Sequence, residues 1–76
     1  MPKITVFTRT TCAPCKTVKY FIEKKGFSFI EKNIDDPEYA KEFSHFADMP
    51  MVPLVLIGDQ KVQGLNLARL NDLLMV

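Results

Sequence analysis

The chain has only two cysteines, and that scarcity is the first constraint on its chemistry. A small secreted domain held together by disulfides carries four or more, at wider spacing. Here Cys12 and Cys15 lie close together, and a bond between them would close too short a loop to constrain the unfolded chain much. Stability is therefore not the reason for the pair. Histidine is scarcer still: with His45 alone, a zinc site within one chain would find three ligands at best, where structural zinc takes four. Long apolar runs are missing, since no stretch approaches the roughly 18 residues of a membrane span. Charge of one sign is missing too. Ten Lys+Arg and nine Asp+Glu are spread along the chain for a net charge of +1, without a basic block or an acidic tail. This argues against a nucleic-acid partner. The opening Met1-Pro2-Lys3 leads straight into Ile4-Thr5-Val6-Phe7, too short an apolar run for a signal peptide. A cytoplasmic protein with no membrane partner is expected.

What is present suits one compact domain over residues 1–76, 47% hydrophobic and 25% charged, with six Phe and two Tyr. A chain of this size buries only about 60% of its unfolded surface, so modest stability is expected. Lys3–Thr8 is a β-rich run with Ile4 and Val6 on one face and Thr5 and Phe7 on the other, the pattern of a central strand covered on both sides. From Pro14 to about Lys25 the spacing of Val18, Phe21 and Ile22 predicts an amphipathic helix, with Pro14 in its first turn and Gly26 beyond its end. Phe27–Ile34 alternates as a second strand. Asp35-Asp36-Pro37-Glu38 then announces a second helix with Tyr39, Phe43 and Phe46 on one face.

Met49-Pro50-Met51-Val52-Pro53 interrupts the pattern. Leu54–Ile57 and Lys61–Gln63 read as a hairpin around Gly58-Asp59-Gln60. Asn66 can cap a last helix whose buried stripe is Leu67, Leu70, Leu73 and Leu74. The order β-α-β-α-β-β-α predicts a parallel first pair, a final antiparallel hairpin, and a mixed four-stranded sheet with helices on both faces.

The place of Cys12-Ala13-Pro14-Cys15 says more than its spacing. The motif follows a strand directly and opens a helix. There, residues three apart have Cα atoms roughly 5–5.5 Å from each other, inside the window a disulfide needs. One backbone can thus hold both dithiol and disulfide. Unpaired N–H groups and the positive end of the helix dipole face Cys12 and favour its thiolate, which lowers the pKa of a thiol so placed. Arg9 and Lys16 add positive charge, and residues 1–22 contain no acid to oppose them. Cys12, at the helix end, is the expected nucleophile; Cys15, one turn inside, the resolving thiol. Ala13 and Pro14 would present a flat, uncharged docking surface. His45 on the second helix reads as structural, and Met49 and Met51 as packing or docking residues.

With a strand, Cys-x-x-Cys, a helix and a later Val52-Pro53 before a strand, the chain resembles the glutaredoxin family over nearly its whole length. The resemblance implies a thioredoxin-like fold and a thiol–disulfide oxidoreductase with no bound cofactor. It also implies a cis Pro53 that, with Val52, presents backbone groups to the substrate. Arg9, three residues before Cys12, stands where the family keeps a basic residue for the glycine carboxylate of glutathione. Two departures matter. The motif lacks the family's usual Cys-Pro-Tyr-Cys aromatic. The Gly-Gly, small residue, Asp run that holds the γ-glutamyl end of glutathione is here Gln63-Gly64-Leu65-Asn66, with the acid replaced by a neutral side chain. Those departures resemble the NrdH-redoxins, which serve ribonucleotide reductase and draw electrons from thioredoxin reductase.

Three functions are therefore in play. The first is a monomeric dithiol carrier that reduces protein disulfides, with ribonucleotide reductase as a candidate partner and thioredoxin reductase and NADPH as the electron source. The second is a glutathione-dependent enzyme acting on mixed disulfides, for which Cys12 alone suffices. The third is an iron–sulfur or zinc-binding dimer, disfavoured by Pro14 because cluster-carrying relatives keep small residues in the motif.

Overall fold

The computed structural model describes residues 3–47 and 49–74. Its elements are β1 (Ile4–Thr8), α1 (Ala13–Lys24), β2 (Ile30–Asn33), α2 (Pro37–Phe46), β3 (Leu54–Ile57), β4 (Gln60–Gln63) and α3 (Leu67–Leu73). The four strands form one sheet in the order β2-β1-β3-β4. β1 runs parallel to β2 and antiparallel to β3, and β3 pairs with β4 through a two-residue turn at Gly58-Asp59. This is the expected thioredoxin-like arrangement of a mixed sheet with three helices. No helix among the described residues is long and apolar enough to cross a membrane.

All five residues of β1 are buried, because helices cover both faces of the sheet. On one face Ile4 and Val6 meet Val55, Ile57 and Val62 of the sheet, Val18 and Ile22 of α1, and Leu70 and Leu74 at α3. On the other, Phe7 and Leu54 pack against Phe43 of α2, the two phenyl rings meeting edge to face at 5.7 Å. Fully burying such side chains contributes about 1.5–3 kcal/mol each, which is how so short a chain offsets its ordering entropy.

The termini of α1 are chemically explicit. Cys12 is its N-cap, with Pro14 in the first turn. At the other end Gly26 adopts φ +86°, its N–H bonds Glu23 O at 2.9 Å, and Phe27 N–H bonds Ile22 O at 3.2 Å, a Schellman ending. Asp36 caps α2 by accepting from Glu38 N–H at 2.9 Å, ahead of Pro37.

One expectation needs correction. The second strand covers Ile30–Asn33 instead of Phe27–Ile34: Phe27 and Phe29 are spent packing under the core as a connecting loop, and the strand itself lies at the sheet edge with Ile30 half exposed. On α2 only Phe43 is buried, while Tyr39 and Phe46 are 37% and 43% exposed. Phe43 packs on Phe7 and Leu54, with Ile34, Val52 and Leu56 partly buried around them, and Tyr39 and Phe46 stand outside this cluster. Tyr39 instead sits 5.8 Å from the ammonium of Lys32, which is paired with Glu42 at 2.6 Å.

Candidate redox site at the start of the first helix

β1 ends at the buried Thr8, the chain turns through Arg9-Thr10-Thr11, and Cys12 begins the helix. Cys12 and Cys15 are joined by a disulfide, with Cα atoms 5.3 Å apart, within the separation expected of a helix start. The backbone N–H of Cys15 donates to Cys12 Sγ at 3.2 Å. The sulfur of Cys12 therefore receives one of the helix's unpaired amides, the arrangement that stabilises negative charge on a thiolate there. The cysteines differ in access: Cys15 is 1% exposed and Cys12 is half-buried. No acid occupies the first turn of α1, while Ala13, Pro14 and Lys16 are exposed around it.

The sheet gathers a second group at the same end. Phe7 pairs with Leu54, and Leu54 with Gln63, so the residues just beyond these pairs share one edge with the Cys12 segment. The Val52–Pro53 bond is cis, as the resemblance implied. Pro53 is buried, and its carbonyl accepts from Gly64 N–H at 2.7 Å. Gln63 Nε2 donates to Met51 O at 2.6 Å. Gly64 takes φ +77°, and a Cβ placed on it would lie 3.1 Å from the thioether sulfur of Met51. Leu65 is 51% exposed. Asn66 caps α3, its side-chain oxygen accepting from Arg69 N–H at 3.1 Å. Met49, Pro50 and Met51 are exposed, and Met49 and Pro50 border a hollow of about 280 Å³ also lined by Phe43, Ser44 and Ala47. A hollow of about 540 Å³ at the far end of α1 is lined by Glu23, Gly26, Phe27, Ser28 and Phe29 and adjoins none of these groups.

The local sequence around Cys12 holds no acid, but the fold supplies two. Asp35, in the turn between β2 and α2, accepts from Thr10 N–H at 3.1 Å. Hydrogen bonds from the side chain and backbone of Thr10, and then the charge of Arg9, hold its carboxyl below the ordinary carboxylate value. Glu31, on β2, accepts from the Thr8 hydroxyl at 2.8 Å and from Lys19 of α1 at 2.9 Å. Burial alone would raise the Glu31 carboxyl, but bonds from Lys19 and Thr8 and the Lys19 charge together lower it. Sequence reasoning missed both, because each contact spans more than ten residues. Only Asn33-x-Asp35, an Asx-turn pattern ahead of a separate helix cap at Asp36, hinted that Asp35 had another task. Among the described residues no three His, Cys, Asp or Glu side chains converge as metal ligands.

Comparison with known proteins agrees with this geometry. The glutaredoxin family model matches residues 4–62. The glutaredoxin-like protein NrdH of Escherichia coli is 31% identical over 71 residues, 93% of this chain and 88% of that one. Among solved structures, a glutaredoxin from Archaeoglobus fulgidus superposes with a TM-score of 0.85 at 27% identity, over 100% of this chain and 89% of the other. The NrdH-redoxin from Escherichia coli superposes with a TM-score of 0.81 at 31% identity, over 92% of each chain. A strand leading to a disulfide at a helix start, and a family match across most of the sheet, have one common account: this chain belongs to the glutaredoxin family and is a thiol–disulfide oxidoreductase with Cys12–Cys15 as its redox pair.

Proposed function

We propose that this protein is a cytosolic dithiol carrier of the NrdH-redoxin kind, reducing disulfides in a protein substrate such as ribonucleotide reductase and recharged by thioredoxin reductase. Its reaction runs in two displacements. The Cys12 thiolate attacks a substrate disulfide, forming a mixed disulfide and releasing one substrate thiolate. The Cys15 thiolate then attacks Cys12 Sγ, closing the internal disulfide and releasing the second. Two electrons pass to the substrate, protons from solvent complete its thiols, and the carrier leaves oxidised. The greater access of Cys12 and the burial of Cys15 suit this order: the more accessible sulfur meets the partner, and the protected one resolves the bond within the chain. The exposed Ala13, Pro14 and Leu65 and the half-buried Val52, with the buried Pro53 beneath them, are the surface against which the substrate backbone would lie.

The observation that carries the choice of electron donor is the segment Gly64-Leu65-Asn66. Its polar side chain is Asn66, neutral and engaged as the α3 cap, so no carboxylate stands there for the ammonium of glutathione. The relative from Escherichia coli, a glutaredoxin-like protein with a thioredoxin-like activity profile, points the same way. Arg9, three residues before Cys12, is the feature that favours the glutathione-dependent reading. The deciding experiment follows NADPH oxidation with a protein disulfide substrate, comparing thioredoxin reductase with glutathione plus glutathione reductase. Turnover with thioredoxin reductase alone is the expected result. Turnover with glutathione alone would replace this reading with that of an ordinary glutaredoxin.

A further inference from the structure

Thr10 stands two residues before Cys12 and is gripped from the opposite side by the last residue of β2 and the turn that follows it. Its backbone N–H donates to Asp35 Oδ2 at 3.1 Å, and its hydroxyl accepts from Asn33 Nδ2 at 3.1 Å. The two gripping side chains brace each other, because Asp35 N–H donates to Asn33 Oδ1 at 2.9 Å. At the same point the sheet closes with Thr8 opposite Asn33 and Ile34 N–H on Thr8 O at 2.8 Å. The segment is thus held by backbone and side-chain bonds at Thr8 and Thr10, two residues short of the Cys12 cap.

Asp35 is not needed to start α2, since Asp36 fills that role. Nor does it pack in the core, for it is exposed. A solvent-exposed carboxylate with no duty at the helix start, spent on a backbone amide 25 residues away, is explained by what that amide holds. We propose that Asn33 and Asp35 are positioning residues for the thiol chemistry of Cys12, acting through Thr10. The inference rests on Cys12 being the attacking thiol. Attack requires Cys12 Sγ to sit at the helix start where the Cys15 amide meets it, and small misplacements of a reacting atom cost rate steeply. The Asp35 carboxylate has a second, opposing effect: it offsets the charge of Arg9 and so withdraws some support from the thiolate.

These two effects separate by mutation. Asp35→Asn keeps an oxygen acceptor for Thr10 N–H and removes the charge, whereas Asp35→Ala removes both and Asn33→Ala removes the second grip. The measurement is the rate of Cys12 alkylation by iodoacetamide in the reduced protein at neutral pH, resolved by peptide mass spectrometry. The equilibrium of the dithiol–disulfide couple with dithiothreitol and the melting temperature are recorded for the same samples. Asp35→Asn should alkylate at least as fast as the parent. Asp35→Ala and Asn33→Ala should alkylate about threefold to tenfold more slowly than Asp35→Asn. Equal rates for Asp35→Ala and Asp35→Asn would overturn the proposal, as would slowing that merely follows the loss of melting temperature across the three variants. Alkylation needs no reductase, so these ratios decide the positioning role even if the parent protein proves unable to reduce a protein disulfide.

Discussion

A methyl group added to Gly64 tests the joint between the Pro53 segment and the end of β4. Gly64 is held at φ +77°, where an L-residue pays roughly 1–2 kcal/mol for the approach of its Cβ to the backbone. The added carbon would also lie 3.1 Å from Met51 Sδ, closer than an ordinary contact, so Met51 must move. Gly26→Ala is the natural control: Gly26 has φ +86° but nothing within 4 Å of the added methyl. It therefore reports the backbone cost alone. For a domain of this size 1 kcal/mol shifts the melting temperature by about 4–8 °C, so Gly26→Ala should lower it by about 5–15 °C. Gly64→Ala should lower it at least as much. Only Gly64→Ala should also raise KM for a protein disulfide, because Gly64 N–H bonds Pro53 O and its methyl displaces Met51 on the proposed docking side. Calorimetry on both variants, with steady-state reduction of insulin disulfides, checks this. Equal KM values for the two variants, or a melting loss confined to Gly26→Ala, would refute the reasoning.

Other expectations follow from the same contacts. Cys12→Ser should abolish disulfide reduction, since no second exposed thiol remains, and Cys15→Ser should accumulate a mixed disulfide visible as an intact-mass adduct; an active Cys12→Ser would remove the assigned nucleophile. Ile22→Ala empties a fully buried position between α1 and the sheet and should cost about 2–5 kcal/mol, read as a lower urea midpoint at similar slope. Glu31 has a folded pKa below its ordinary 4.5, so its contribution is present above that value and is lost as pH falls through the depressed folded pKa. Glu31→Gln should accordingly lower the melting temperature at neutral pH, by an amount fitting a partly exposed, solvent-screened pair of about 0.2–1 kcal/mol. The gap between variant and parent should close in strong acid; one that persists unchanged there would mean that the Glu31 charge contributes nothing.

Much of this architecture is local physics and was open to reading along the chain. Asp36-Pro37 starts α2 because a carboxylate meets free amides and proline fits a first turn. Gly26 ends α1 because a left-handed residue must follow it. The double-sided apolar weight of Ile4–Phe7 put β1 in the centre, where all of it is buried. The redox pair was legible for the same reason: its spacing and its place at a helix start are both properties of neighbouring residues.

What the sequence left open lies where distant segments compete for one space. Tyr39 and Phe46 share the helical spacing of Phe43, yet only Phe43 is buried, since what covers it is a cluster built by Phe7 and Leu54 from other elements. Phe27 and Phe29 alternate as a strand would, but the pairing with β1 begins only at Ile30 and both rings pack against the core instead. Around Cys12 the local charge is wholly basic, and the parallel pairing of β1 with β2 brings in Glu31 and Asp35 from beyond the first helix. Helix caps, strand faces and the thiol pair were thus determined by bonds and packing within a turn or two of chain. The acids beside the redox loop, the reach of β2 and the covered face of α2 were decided only by tertiary structure, because contact across the sheet depends on register and on no single stretch of sequence.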